Sequence, residues 1–110
     1  MTTTAAETGD AVFKALADPT RRRILDLLRA RPRTTGELCE GFPTTRFAVM
    51  KHLRVLAAAR LVVARRRGRE RWNVLNPVPI RQIYRRWIRP FEGDRADALL
   101  RLRRLVEEPL

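Results

Sequence analysis

Residues 34–56 read TTGELCEGFPTTRFAVMKHLRVL, and this stretch decides the fold. Thr34-Thr35 followed by Glu37 is a capped start for a short helix that runs through Leu38 and ends by Gly41. Pro43-Thr44-Thr45 then opens a helix of roughly four turns ending near Ala59. Two helices parted only by the turn around Gly41-Phe42-Pro43 have the proportions of a helix-turn-helix, in which the second helix enters a major groove. At about 100° per residue, Val49, Leu53 and Leu56 fall on one arc and read as packed inward. Phe47, Met50, Lys51 and Arg54 fall on the opposite arc, with Thr45 and Arg46 at the first turn. Cations can meet phosphate or guanine there, and an apolar group can meet a thymine methyl. The plain alternative is a solvated face that happens to expose two apolar residues.

Working outward toward the C-terminus, Leu61-Val62-Val63 and Trp72, Val74 and Leu75 flank Arg65-Arg66-Arg67-Gly68-Arg69-Glu70-Arg71 and read as a basic β-hairpin turning at the glycine. Arg65, Arg66, Arg67, Arg69 and Arg71 lie within seven positions, a density that repels itself unless a polyanion relieves it. A narrow minor groove would do so. Glu70 is the one internal counter-charge, and Trp72 reads as packed beneath the sheet. Asn76-Pro77 ends the hairpin. Ile80, Ile83, Tyr84, Trp87 and Ile88 recur at helical spacing up to Pro90, and after Phe91-Glu92-Gly93, Asp94 caps a last helix carrying Leu99, Leu102, Leu105 and Val106.

Toward the N-terminus, residues 1–9 read as a flexible, frayed arm. A short helix follows through Val12, Phe13 and Leu16. Asp18-Pro19 starts another, with Asp as cap and Pro at the first helical position, carrying Ile24, Leu25, Leu27 and Leu28 and stopping near Pro32. The expected fold is therefore mainly α with a small β-hairpin, a winged helix-turn-helix in the order α-α-α-α-β-β-α-α. The arm spans 1–9, the DNA-binding core 10–76 and the C-terminal helices 77–110. The apolar residues of those helices exceed what so small a domain easily buries alone. Val12, Phe13, Leu16, Ile83, Tyr84, Trp87, Ile88, Phe91, Leu99, Leu102, Leu105 and Val106 are accordingly the candidate homodimer interface, with about a third of the C-terminal set belonging to internal core.

Composition narrows the function. The chain has 110 residues and a net charge of +12; Lys14 and Lys51 are its only lysines, so 22 of its 24 basic side chains are guanidiniums suited to bidentate phosphate and base-edge contacts. A polyanionic partner is the leading idea, and with the helix-turn-helix and the wing it becomes double-stranded DNA; a G+C-rich coding bias is the alternative source of Arg over Lys, though not of the excess of basic over acidic residues. No run of about 18 apolar residues and no leader-like start occurs, so a cytoplasmic protein without a membrane partner is expected. A single cysteine, Cys39, makes no internal disulfide, and with a single histidine, His52, it leaves too few soft ligands for a structural zinc site. No glycine-rich loop is placed to cradle a phosphate, and nothing marks a pocket around a Cys–His nucleophile pair. Neither an enzyme nor a cofactor or metal site is expected.

Leu16-Ala17-Asp18-Pro19-Thr20-Arg21-Arg22-Arg23-Ile24-Leu25, Glu37-Leu38-Cys39, Ala48-Val49-Met50-Lys51-His52-Leu53-Arg54-Val55-Leu56, Leu61-Val62 and the Arg-Gly wing together resemble the ArsR/SmtB winged-helix repressors over roughly residues 12–76. The resemblance implies a dimeric transcription factor that binds operator DNA and releases it when an inducer binds. It implies that the helix from Thr45 to Leu56 reads DNA and that the terminal helices make the dimer. The expected DNA-contacting set is Thr44, Thr45, Arg46, Phe47, Met50, Lys51, His52 and Arg54 with Arg65, Arg66, Arg67, Arg69 and Arg71 of the wing. His52 matches the family's helix-turn-helix histidine, implying a phosphate donor or a brace for the turn.

Departures from the family pattern matter as much. Gly41 stands where the metal sensors carry a second thiolate, and residues 77–110 contain no histidine for their other site. Met50 and Arg46 replace a common Ser and Gln, implying a different operator. Arg60 replaces a frequent Gly at the end of the reader helix, where a left-handed residue costs less as Gly. The sequence therefore points to a repressor of a pseudo-palindromic operator with its half-sites about 34 Å apart. The effector stays open between a small organic molecule, a thiol oxidant and none. The alternative is a non-specific nucleic-acid or nucleoid protein driven by charge.

Overall fold

A computed structural model describes residues 5–93 and 95–108, and its contacts divide the chain into two units, 1–80 and 81–110. The divide follows Ile80 rather than Asn76. In the first unit, α1 (Ala5–Leu16) begins inside the stretch read as a frayed arm; residues 1–4 lie outside the described residues. α2 (Pro19–Ala30) is started by Asp18, whose Oδ1 accepts from the backbone N–H groups of Thr20 at 2.8 Å and Arg21 at 3.1 Å. Removing such a cap costs a helix about 1 kcal/mol. α3 (Thr35–Glu40) is capped by Thr34, which accepts from the Glu37 N–H. α4 (Arg46–Ala58) is capped by Thr45, which accepts from the Ala48 N–H.

α4 ends as the Arg60 substitution foretells. Arg60 has φ 62°, its N–H donates to the Ala57 carbonyl, and the Leu61 N–H reaches back to the Leu56 carbonyl. This is a Schellman closure, and the two residues its longer bond joins, Leu56 and Leu61, are both fully buried. The left-handed residue usually supplied by glycine is held here by an arginine.

The sheet holds three strands rather than a lone hairpin: β1 (Arg33–Thr34), β2 (Val62–Arg67) and β3 (Glu70–Leu75), all antiparallel in the order β1-β3-β2. Gly68, at φ 63°, is the first residue of the two-residue turn between β2 and β3, a conformation glycine adopts without steric penalty. Cross-strand partners share a face, so Val62, Ala64, Asn73 and Leu75 lie on one side and Val63, Arg65, Trp72 and Val74 on the other. Val62 and Asn73 are buried while Val63 is exposed. Trp72 thus sits on the outer face, not beneath the sheet, because the residue that alternates inward beside it is Asn73.

Ile24, Leu25, Leu28, Leu38, Val49, Leu53, Leu56 and Leu61, with Val12 and Ala15 of α1, form the core of this unit. Truncating any of the larger ones to Ala costs about 2–5 kcal/mol. Val12 is 0% exposed, which corrects its assignment to a dimer interface: α1 turns it into its own protomer's core, so it has no area left to bury. Phe13, one position on, is exposed.

α5 (Val78–Ile83) straddles the divide. In the second unit a π-helical turn (Tyr84–Ile88) and α6 (Arg89–Glu92) follow without a break. The helical run was expected to stop at Pro90, but it continues to Glu92. Pro90 cannot donate to the preceding turn, and the turn before it is widened, with the Arg89 N–H donating to the Tyr84 carbonyl. α7 (Arg95–Glu107) completes the unit; its expected cap, Asp94, lies outside the described residues. Ile83 is buried, again leaving little to offer a partner, whereas Tyr84, Trp87, Ile88, Phe91, Leu99, Leu102, Leu105 and Val106 are exposed.

Candidate nucleic-acid interface

The wheel drawn for α4 is the one the structure has. Val49, Leu53 and Leu56 are buried, while Thr45, Arg46, Lys51 and Arg54 are exposed and Phe47 is 71% exposed. Met50 is half-buried at the edge of that face, and Thr44 is exposed in the turn before the helix. An aromatic ring left this open on a cationic helix gains nothing from its own protomer. It is available to a surface that offers apolar edges between charges.

The wing presents the second cationic element. Arg65, Arg66, Arg67 and Arg69 are exposed and Arg71 is half-exposed. Among the described residues none of them is within ion-pair distance of a carboxylate, although Glu70 registers opposite Arg67. Like charges held this way repel one another at low salt, and an approaching polyanion lowers that energy.

Other arginines of the same unit are engaged. Arg21 donates from Nε to the Ala15 carbonyl at 2.9 Å and from Nη2 to the Lys14 carbonyl at 3.0 Å, and Arg22 donates to the Leu16 carbonyl at 2.8 Å. They close the C-terminal end of α1, whose last carbonyls have no partner within the helix. Arg21 Nη1 also lies 3.3 Å from His52 Nδ1. A guanidinium only donates, so Nδ1 is the acceptor and the neutral ring's proton is on Nε2. Half-buried His52 is thus tied to the α1–α2 junction through its Nδ1 edge. Asp18 completes the group, with its Oδ2 3.9 Å from Arg21. The Arg21 backbone N–H, then that of Thr20 and the Arg21 guanidinium, hold its carboxyl below the usual value against the opposing effect of burial.

Two supports escaped the sequence reading. Asn73 is fully buried, and its Nδ2 donates to the Arg33 carbonyl and the Thr35 hydroxyl, tying β3 to β1 and to the start of α3. An asparagine alternating with apolar residues in a strand is the signal that marks it. Asn76 donates from Nδ2 to the Arg60 carbonyl at 2.9 Å and from its backbone to the Leu61 carbonyl at 2.8 Å, joining the end of α4 to the root of the wing. Cys39 is half-buried in α3. Among the described residues no group of three or more His, Cys, Asp and Glu could hold a metal ion, and no helix is long and apolar enough to cross a membrane.

The pattern of the family described as helix-turn-helix domain matches residues 16–65. The chain is similar to the transcriptional repressor SdpR of Bacillus subtilis (strain 168), with 40% identity over 65 residues, covering 59% of this chain and 72% of that protein. It is similar also to YuzN of the same organism, an uncharacterized HTH-type transcriptional regulator, with 43% identity over 86 residues, 72% of this chain and 94% of the other. Among solved structures, an ArsR-like transcriptional regulator from Rhodococcus sp. RHA1 superposes with a TM-score of 0.69 at 29% identity, over 94% of this chain and 95% of that one. With the helix-turn-helix, the wing and these relatives in agreement, the chain belongs to the ArsR family of winged helix-turn-helix, DNA-binding transcriptional regulators, which are not enzymes.

Proposed function

We propose that the protein is a homodimeric repressor that binds a pseudo-palindromic operator. α4 would lie in the major groove, with Arg54, Lys51 and Phe47 toward base edges and Thr44, Thr45 and Arg46 toward the backbone; the wing arginines would lie along the adjacent minor groove. The observation that carries this reading is the outward face of α4, where a bare phenylalanine sits among exposed cations while the inward face is fully packed. Repression is supported by the name of one relative, a transcriptional repressor.

The dimer is supported by the apolar residues that each unit leaves open, Phe13 in the first and Trp87, Phe91, Leu102 and Leu105 in the second. A two-fold pairing would set two reader helices about 34 Å apart. Competition tests the DNA reading. At about 0.15 M salt a fragment from the protein's own locus should outcompete random duplex by about 10³ or more. Equal displacement by both would leave a charge-driven, non-specific binder. Sedimentation at micromolar concentration should give a dimer, and a monomer there would overturn the interface.

A further inference from the structure

The outer face of the wing sheet carries a groove of about 590 Å³, lined by Trp72, Val74, Pro32, Arg31, Arg65 and Arg67 and by Arg66, whose side chain alternates to the opposite face. Its size lies within the range of small-molecule sites, which are concave and mostly apolar with a few placed polar groups. Arg31 is committed, donating to Glu37 at 2.8 Å. Among the described residues, neither Arg65 nor Arg67, the wing guanidiniums of this face, has a carboxylate within ion-pair distance. The Trp72 indole N–H is sealed from solvent and has no acceptor, the one buried side-chain donor among the described residues left in that state. Two unengaged cations, an indole and an aliphatic lining together ask for an occupant with a flat apolar body and a negative end. A phosphodiester backbone supplies the charge but no body for that lining.

We propose that this groove binds a small aromatic carboxylate, its ring against Trp72 and Val74 and its carboxylate on Arg65 and Arg67, and that the bound anion competes with DNA for the wing. A guanidinium accepts a carboxylate in a bidentate fork, and an aromatic ring packs offset or edge-on against indole. The occupant would neutralise the guanidiniums assigned above to the minor groove, so it acts by removing charge and needs no hinge. This second half rests on the proposed DNA-binding role of the wing.

The test uses the full chain labelled with ¹⁵N and 2-naphthoate as probe. Two tryptophans give two indole N–H signals, assigned with Trp72→Phe. The expected result is a saturable shift of the Trp72 signal with Trp87 unmoved, about tenfold weaker binding of the neutral 2-naphthamide, and about fivefold weaker 2-naphthoate binding by the exposed-site variant Arg65→Gln. No saturable shift, or equal affinity for acid and amide, overturns the site. Saturating 2-naphthoate at constant ionic strength should also weaken binding to a duplex of about 20 base pairs roughly tenfold. A filled site with unchanged DNA affinity overturns the competition. The indole titration contains no DNA, so a protein that failed to recognise an operator would refute the proposed function and leave the groove result readable.

Discussion

Arginines of the α1–α2 junction and arginines of the wing are the same residue put to opposite uses. Arg21 and Arg22 sit on carbonyls that end α1, and Arg21 also reaches His52 and Asp18; among the described residues, Arg65, Arg66 and Arg67 touch no carboxylate. The first group satisfies polar atoms the fold would otherwise leave bare. The second raises the energy of the free chain. A high net charge therefore does not measure DNA-binding capacity, since part of it is internal structure.

The sharpest way to break that contrast is Arg21→Ala. It removes the guanidinium from the Ala15 carbonyl, takes one of two donors from the Lys14 carbonyl, which keeps the Ala17 N–H, and leaves His52 Nδ1 unpaired, so unfolding in urea should show a loss of about 2–4 kcal/mol, hydrogen bonds from a charged donor being worth about 1.5–3 each at partly buried sites. A loss under about 0.5 kcal/mol would place Arg21 with the solvated charges. Next in size, Arg54→Ala should cost about 1–3 kcal/mol on the operator and relax sequence choice while stability holds. Equal losses on operator and random duplex would remove Arg54 from base reading.

Acid sharpens the comparison from the other side. Because the Asp18 carboxyl is held below its ordinary 3.8, its contribution is full above the unfolded value and is lost as pH falls through the folded one. Thermal melts of wild type and Asp18→Asn, which keeps a capping oxygen, should run parallel from pH 7 to about 5 and converge or cross below about 4. Smallest on the fold is Arg69→Ala: stability should change by less than about 0.5 kcal/mol, while DNA of any sequence binds more weakly and the logarithmic salt slope flattens by about one. A stability change as large as that of Arg21→Ala would erase the distinction.

How much of this was legible in sequence depended on how local each cause is. The caps at Asp18, Thr34 and Thr45, the inward arc of Val49, Leu53 and Leu56, the left-handed Arg60 and the wing turn at Gly68 are set by residues a few positions apart, and periodicity exposes them. β1 is two residues long and exists only because β3 pairs with it, so no local signal announces it. Trp72 was placed on the wrong face because its size suggested core, whereas the alternation is fixed by buried Asn73, whose partners Arg33 and Thr35 are far away in the chain. Val12 was read as interface because an apolar stripe does not say which surface covers it. For the residues proposed to contact DNA, periodicity showed most of the exposed set and left open that Arg21 restrains His52.

The link from Asn76 to the carbonyls of Arg60 and Leu61 bears on the thermodynamics of recognition. With α4 and the root of the wing fastened to each other during folding, the relative placement of the two elements proposed to contact DNA is already restricted before DNA arrives. Association then carries a smaller entropic penalty than it would for a wing hung on a loose tether, and more of the contact energy appears as affinity.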